Sequence, residues 1–341
     1  MLLNAVRRLQ ARCLTGPRNR WARRLALALA LLGLSGWGSA LAAYPDRPVR
    51  IVVPYTAGGP ADLLARYIAG RLTQSTGQSF VVENKPGAGL VIGADAVAKA
   101  DADGYTLLVN ASSMLIPGQG TSRSPEDNLR DFAPVTLIGT LPMVLLVSPD
   151  LHVDNLAQLG AYALQRPGQV NYGSSGSGSL THLSGALLAS MMGLDLVHVP
   201  YKGISPALTD LAAGRVQLVF AGAPIAVPFV RDGRFVALGL TGTRPLPMLP
   251  GVQTLADLGL AGYDVPSWYG IVAPVGTPTD ILGFLHQEIA AVLRTEKART
   301  QWTQWGAEPT VSENPSQFSE LMRNDVRKWA ELVGSGRLKL Q

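Results

Sequence analysis

The chain has 341 residues, 47% of them hydrophobic and 16% charged, a balance that supports a large packed core and excludes global disorder. Its formal net charge of +5 is concentrated at one end: residues 1–43 hold seven arginines and no acid, and without them the remainder carries −2. Basicity therefore gives no support to nucleic-acid binding by the body of the chain. In the leader, a basic stretch ending at Arg23–Arg24 precedes the apolar run Leu25–Leu34, and small residues lead on to Ala40-Leu41-Ala42. This is the order of a secretory signal, with cleavage expected near Ala42. At about 10 residues the apolar run is half of the ~20 that a bilayer core requires, which leaves a short membrane anchor as the alternative. No aromatic follows the arginine pair, which favours the general secretory route over the twin-arginine one. Cys13, the only cysteine, lies upstream of the apolar run, so a cleaved chain has no thiol for a disulfide, a metal or a nucleophile.

From residue 50 onward, strands alternate with helices. Arg50–Tyr55 reads as a buried strand, and a turn then leads to a helix opening at Asp62 with Leu63, Leu64, Tyr67, Ile68 and Leu72. Phe80–Asn84 is the second strand. The loop Lys85–Gly89, a helix around Ile92–Lys99, a turn at Asp101–Gly104 and the strand Tyr105–Val109 follow. Such alternation predicts parallel sheets with α/β layering. The apolar stretch Val135–Ser148, broken by Gly139 and Pro142, predicts a crossing into a second sheet. There the pattern restarts with helix Leu156–Gln165, strand Val170–Gly173, helix Leu180–Met192, strand Leu196–Tyr201, helix Pro206–Ala213 and strands Gln217–Phe220 and Phe235–Leu240. Ser267–Pro274 predicts the return crossing. Helices Asp280–Leu293, Lys297–Trp305 and Pro315–Val333 close the chain, with Trp302, Trp305 and Trp329 expected in the core. Two sheets joined by two crossings predict two lobes with a cleft between them.

Ligands of open α/β sheets sit beyond the carboxyl ends of the strands. Two loops at such positions, Tyr55–Asp62 and Gly173–His182, are rich in Gly and Ser and run into helices. Glycine lets backbone N–H groups approach a ligand, and a helix start adds unpaired N–H donors and about +0.5 of partial charge. Two such starts facing across a cleft suit an anion such as a carboxylate. Ordinary Gly-rich turns would share the pattern. Other chemistries fit less well. Gly173-Ser174-Ser175-Gly176-Ser177 misses G-x-S-x-G at its last place, although an exported serine hydrolase using Ser175 and His182 is carried as the alternative. Gly87-Ala88-Gly89 with Gly93 is a weak dinucleotide pattern, and no phosphate loop of the G-x-x-x-x-G-K type occurs. His152, His182, His198 and His286 share no ligand spacing, so no metal site is expected. His198, alternating with Val197 and Val199, reads as structural.

The sequence is similar to the Bug, or TctC-type, solute-binding receptors of tripartite tricarboxylate transport systems. The resemblance spans essentially residues 44–341. It is carried by Tyr44–Pro54, Val82–Gly89, Asp103–Leu108, Asp131–Val135, Asn171–Ser174, His198–Gly203 and Trp268–Gly270, in the family's order. It implies a periplasmic, two-lobed α/β protein of the type II, Venus-flytrap class with no catalysis and no cofactor. It also implies a monomer that binds a small carboxylate, with TctA- and TctB-like membrane proteins as possible partners. The expected segments are a signal peptide at 1–42, a first lobe at 43–145 completed by 265–341, and a second lobe at 146–264, with hinges near 145 and 265. Expected ligand contacts are Tyr55, Thr56, Ala57, Gly58, Gly59, Asp62, Ser112 and Ser113 in the first lobe. In the second they are Ser174, Ser175, Gly178, Ser179, His182 and Ala221. The chain departs from the family at Ala57, Pro60 and Ala61, where a hydroxyl beside Asp62 is missing. It departs again at Ala221, where many members place an acid. Those departures point to a carboxylate without an amino group.

Overall fold

The computed structural model describes residues 44–116, 122–242, 244–265 and 267–334; the leader and its expected cleavage site lie outside them. The body that begins at Arg47 rests on two five-stranded sheets. The first contains β1 (Val49–Val53), β2 (Phe80–Asn84), β3 (Thr106–Ala111), β4 (Phe132–Thr140) and β10 (Trp268–Pro274), in the order β2-β1-β3-β10-β4. The second contains β5 (Met143–Val147), β6 (Val170–Ser174), β7 (Leu196–Pro200), β8 (Leu218–Gly222) and β9 (Val236–Leu240), in the order β7-β6-β8-β5-β9. The two orders match strand for strand: β1 and β6 hold the same place, as do β2 and β7, and β3 and β8.

Both sheets are mixed, which corrects the expectation of parallel ones. β10 runs antiparallel to β3 and β4, and β5 runs antiparallel to β8 and β9. The cause is the crossings, because each delivers a strand that enters the other sheet from its carboxyl edge. Between β4 and β5 only Leu141 and Pro142 intervene, a link whose ends can be no more than about 11 Å apart. The carboxyl ends of β1 and β3 share an edge with the end of β4, and the carboxyl ends of β6 and β8 share an edge with the start of β5. The two carboxyl edges therefore meet at the hinge. Hydrogen bonds tie the crossings together: Leu141 N–H donates to Ser267 O at 2.7 Å, and Met143 N–H to Thr241 Oγ1 at 3.0 Å.

The pleat sorts the core. Leu145, Val147, Leu218 and Phe220 face one layer of the second sheet, and Val144, Leu146, Val219 and Ala221 face the other. Each fully buried Leu or Phe contributes about 1.5–3 kcal/mol. Helices cover both faces: α1 (Pro60–Thr76), α2 (Val91–Ala98), α3 (Pro125–Asp131), α4 (Leu156–Leu164), α5 (Leu180–Met192), α6 (Ile204–Ala212), α7 (Ala223–Arg231), α8 (Thr279–Leu293), α9 (Glu296–Gln304) and α10 (Pro315–Gly334). Two of these were not expected. The start of α3 is fixed by a reciprocal cap, with Ser124 Oγ accepting from Asp127 N and Asp127 Oδ2 accepting from Ser124 N. α7 carries Pro224 in its first turn, where no donor is needed, and Pro228 in its interior, which hides it from a pattern reading. Trp302 and Trp329 are fully buried, as expected, while Trp305 is only half-buried.

Candidate functional site

The loop after β1 is organised from below by one carboxylate. Asp62, in the first turn of α1, is buried; its Oδ2 accepts from Gly58 N at 2.9 Å and from Arg66 Nε at 3.0 Å, and its Oδ1 accepts from Asn84 Nδ2 at 2.9 Å. Arg66 also donates to Asn84 Oδ1, and Asn84 Nδ2 lies 3.1 Å from Tyr55 O. Burial alone would raise the Asp62 pKa, but the hydrogen bonds from Arg66, Gly58 and Asn84 outweigh it and hold the group below its ordinary value. Both oxygens accept hydrogen bonds from the lobe itself, so Asp62 holds the loop in shape. Above it, Thr56, Ala57 and Gly58 are exposed. Gly58 has φ +84°, a conformation that favours glycine, and nothing lies within 4 Å of where a Cβ would stand. α1 begins without a side-chain cap, and Pro60, which has no N–H, fills its first position.

An aromatic wall stands beside this loop. Tyr55 Oη is 2.7 Å from Ser113 Oγ, and its ring meets Tyr269 edge-on at 6.3 Å. Desolvation by burial pushes the Tyr269 hydroxyl up to about 12 and the Tyr55 hydroxyl higher still, so both stay neutral donors. Ser112, expected beside Ser113, is fully buried and accepts the Trp268 N–H at 3.3 Å. It joins β3 to the return strand and does not face the cleft.

The loop after β6 closes on itself. Ser174 Oγ is 2.6 Å from His198 Nε2 and 3.1 Å from both the N and the O of Gly176. Thr181 Oγ1 accepts from Ser175 N at 2.9 Å and lies 3.0 Å from Ser175 Oγ and 2.9 Å from Ser179 Oγ. Ser179 caps α5 by accepting from His182 N, and its hydroxyl donates to Gly176 O at 2.7 Å. His182 is fully buried, and its Nδ1 accepts from the N–H of Gly178, itself buried, at 3.0 Å. The ring proton of neutral His182 therefore sits on Nε2. His182 stacks flat on His198, with centroids 3.8 Å apart and planes at 7°, and Tyr172 stacks beyond at 5.0 Å from His198. Desolvation lowers both histidines, His198 to about 4 with His182 adding to the effect.

Ser174, His182 and Ala221, expected as contacts, are buried within the second lobe. Ala221 lies inside β8 opposite Val144, in the core beneath α6 and α7. The half-buried or exposed residues of the expected set are Tyr55, Thr56, Ala57, Gly58, Gly59, Ser113, Ser175 and Ser179. Arg66 under the first loop is a support that sequence reasoning missed; it acts there with Asn84, while Thr181 and His198, the latter read as structural, support the second. Among the described residues no cluster of His, Cys, Asp or Glu could hold a metal.

A family model for the tripartite tricarboxylate transporter family receptor, TctC, matches residues 64–338. The chain belongs to the TctC family. BugT of Bordetella pertussis is 34% identical over 323 residues, 94% of this chain and 99% of BugT. An R. palustris protein solved with adipate superposes with a TM-score of 0.77 at 36% identity, over 86% of this chain and 99% of its own. MatC from Rhodopseudomonas palustris with bound malate gives 0.73 at 30% identity, over 85% and 100% of the two chains. The periplasmic binding protein BugD gives 0.74 at 32% identity, over 87% and 99%. As a TctC protein the chain is a two-lobed solute-binding receptor and not an enzyme. The serine hydrolase alternative fails on geometry as well: Ser175 Oγ pairs with Thr181, while the His182 Nδ1 that would serve as base takes a backbone amide.

Proposed function

We propose that this receptor is exported to the periplasm and closes its lobes on a small carboxylate that lacks an amino group. The observation that carries the reading is the equivalence of the two loops. Each follows the second strand of its sheet, each runs into a helix start, and both lie on the carboxyl edges that the two-residue crossing brings together. The exposed turn Thr56–Gly58 with the uncapped start of α1, and the Ser175 hydroxyl, are assigned to the carboxylate. Thr181 holds Ser175 in place: Ser179 gives its proton to Gly176 O, so Thr181 Oγ1 donates to Ser179 and accepts from Ser175 Oγ, a bond that a guest taking the Ser175 proton would replace. Tyr55 and Tyr269 offer a wall for an apolar body. An α-ammonium group would require an acid, and Asp62, the acid of these loops, is buried and already accepts three hydrogen bonds from its own lobe. The adipate and malate bound by the R. palustris relatives fit the same description.

The hinges are assigned to Leu141–Pro142 and to the entry into β10, close to the boundaries that separate 43–145 and 265–341 from 146–264. Calorimetric titration of the mature protein with hexanoate, adipate, malate, aspartate and glutamate tests the ligand class. Binding of the non-amino acids is expected, and tight binding of aspartate or glutamate alone overturns the assignment. Sequencing the amino terminus of periplasmic material should find cleavage near Ala42. Size-exclusion chromatography with light scattering should find a monomer, and crosslinking in membranes should capture TctA- or TctB-like proteins.

A further inference from the structure

A cavity of about 430 Å³ lies against the two crossings, away from the loops assigned to the carboxylate. Pro245, Leu246 and Pro247, which follow β9, wall it from the second lobe. Thr303 of α9, Ala307 and Pro309 wall it from the first, and both crossings complete the lining. Protein interiors pack so closely that voids much larger than a water molecule are few. Small-molecule sites begin at about 300 Å³ and favour the junction of two domains. A space of this size, shared by two lobes, is suited to an occupant.

The wall says what kind. It is mainly apolar, and Pro142, Pro245, Pro247 and Pro309 have no N–H to offer an anion. Its charged side chains are spent on the protein's own partners: Arg244 bonds Glu308 at 2.6 Å, and Asp264 bonds Lys328 at 2.6 Å. A charged guest would leave water for apolar surroundings without a counterion, which is costly. Ser267, on the return crossing, is half-buried, and its hydroxyl has no hydrogen bond among the described residues. One hydroxyl on the guest would find a partner there.

Strand order relates this cavity to the cleft. The carboxylate loops follow β1 and β6, each second from one edge of its sheet. The cavity is lined by Thr140, which ends β4, and Gly242, which follows β9, and these are the last strands at the opposite edge. The crossing strands β10 and β5 stand between. A rotation about the crossings that shuts the cleft therefore spreads the cavity, and one that opens the cleft pinches it.

We propose that this cavity is an effector site for a neutral, mainly apolar small molecule carrying a hydroxyl, and that its guest strengthens carboxylate binding by opposing cleft opening. The site stands on its own geometry; the coupling rests on the carboxylate reading. A guest that binds the shut form better shifts the lobes toward it, and by linkage the carboxylate raises the affinity for the guest by the same factor.

The probe is 1-naphthalenemethanol, with the cationic 1-naphthalenemethylamine as its charged counterpart, titrated into the mature protein by nuclear magnetic resonance. The alcohol should bind in the sub-millimolar range and shift the backbone amides of Leu246 and Ala307, and the amine should bind roughly tenfold more weakly. In calorimetry, saturating alcohol should raise adipate affinity about fivefold. Thr303→Trp, which places an indole in the same space, should abolish alcohol binding and its effect while still binding adipate. No binding of the alcohol, shifts confined to the cleft loops, or binding unchanged in a Thr303→Trp protein that still takes adipate overturns the site. An amine that binds as tightly as the alcohol overturns the neutral guest. Adipate affinity that stays constant or falls as the alcohol is added overturns the coupling. A protein that binds the alcohol at Leu246 and Ala307 but no carboxylate overturns the carboxylate reading and the coupling with it, and supports the site.

Discussion

The stacked imidazoles beneath the second loop make one residue sensitive to acid. His198 titrates at about 4 in the folded chain against 6.5 as a free side chain, because burial and the facing His182 both disfavour its charged form. The unfolded chain therefore binds more protons between those values, and stability falls as pH drops through that window, then levels off below about 4. The loss has an upper bound of about 3 kcal/mol for His198, and solvent screening of the half-buried ring reduces it. Protonation also strains the contacts that shape the loop, since Ser174 Oγ lies against His198 Nε2 and Gly178 N–H points at His182 Nδ1. His198→Phe keeps a flat ring in the stack and removes the titration. Its melting temperature between pH 7 and 4.5 should decline less steeply than that of wild type; parallel slopes would rule the pair out as the acid-sensitive element. The same region shows what the sequence alone leaves ambiguous. A polar side chain at a helix start looks alike whether it faces a guest or its own loop, and Asp62 and His182 do the latter. What separates the two cases is the partner in space, namely Arg66 and Asn84 for one, Gly178 N and His198 for the other.

α10 is the element that holds the return crossing. Trp268 Nε1 donates to Asp325 Oδ2 at 2.6 Å, and Lys328 bonds Asp264 at 2.6 Å, so one helix grips both sides of the entry into β10. Asp325 is buried, and desolvation raises its pKa to about 6 despite the indole and Lys328. For a carboxyl group raised in this way, the favourable, protonated form dominates at low pH, and stability is lost as pH rises from about 4 through 6. That sign is opposite to the one for His198. Asp325→Asn retains an acceptor for Trp268 without the charge. It should match wild type near pH 4 and exceed it at pH 7 by about 1–3 kcal/mol in denaturant unfolding. A variant less stable than wild type at pH 7 would show that the charge itself holds the helix. Gly270, in β10, shows how close this packing is: a Cβ there would collide with the Phe318 ring of α10. Most strands were legible from their apolar runs and turn residues. The direction of β5 and β10 was not, because it follows from the chain re-entering each sheet at its carboxyl edge, a tertiary fact with no local signature. The interior Pro228 hid α7 for the opposite reason, since a strong local signal was overridden by packing against β5 and β8.

At the scale of the whole molecule, the matched sheets and the very short first crossing set how the lobes can move. Closure as proposed above would turn about Leu141–Pro142 and the return into β10, because the strands on either side are held in their sheets. Behind the hinge lies a cavity of about 430 Å³ lined by both crossings, with Arg244, which follows β9, paired to Glu308 at 2.6 Å. Glu308 is bound through its backbone to Thr140 at the end of β4, so this pair spans the lobes. Both side chains are exposed, which limits the pair to about 0–1 kcal/mol and makes it sensitive to salt. Arg244→Gln should therefore shift ligand affinity by less than about fivefold, and high salt should erase the difference. Lobe closure must instead draw on contacts made to the ligand by both loops, since only a differential interaction moves such an equilibrium. Solution scattering of the mature chain should accordingly show a smaller radius of gyration at saturating ligand, in wild type and in Arg244→Gln alike. A radius that does not change while calorimetry reports binding would mean that one lobe holds the ligand alone, and the shared-donor arrangement of the two loops would have to be abandoned.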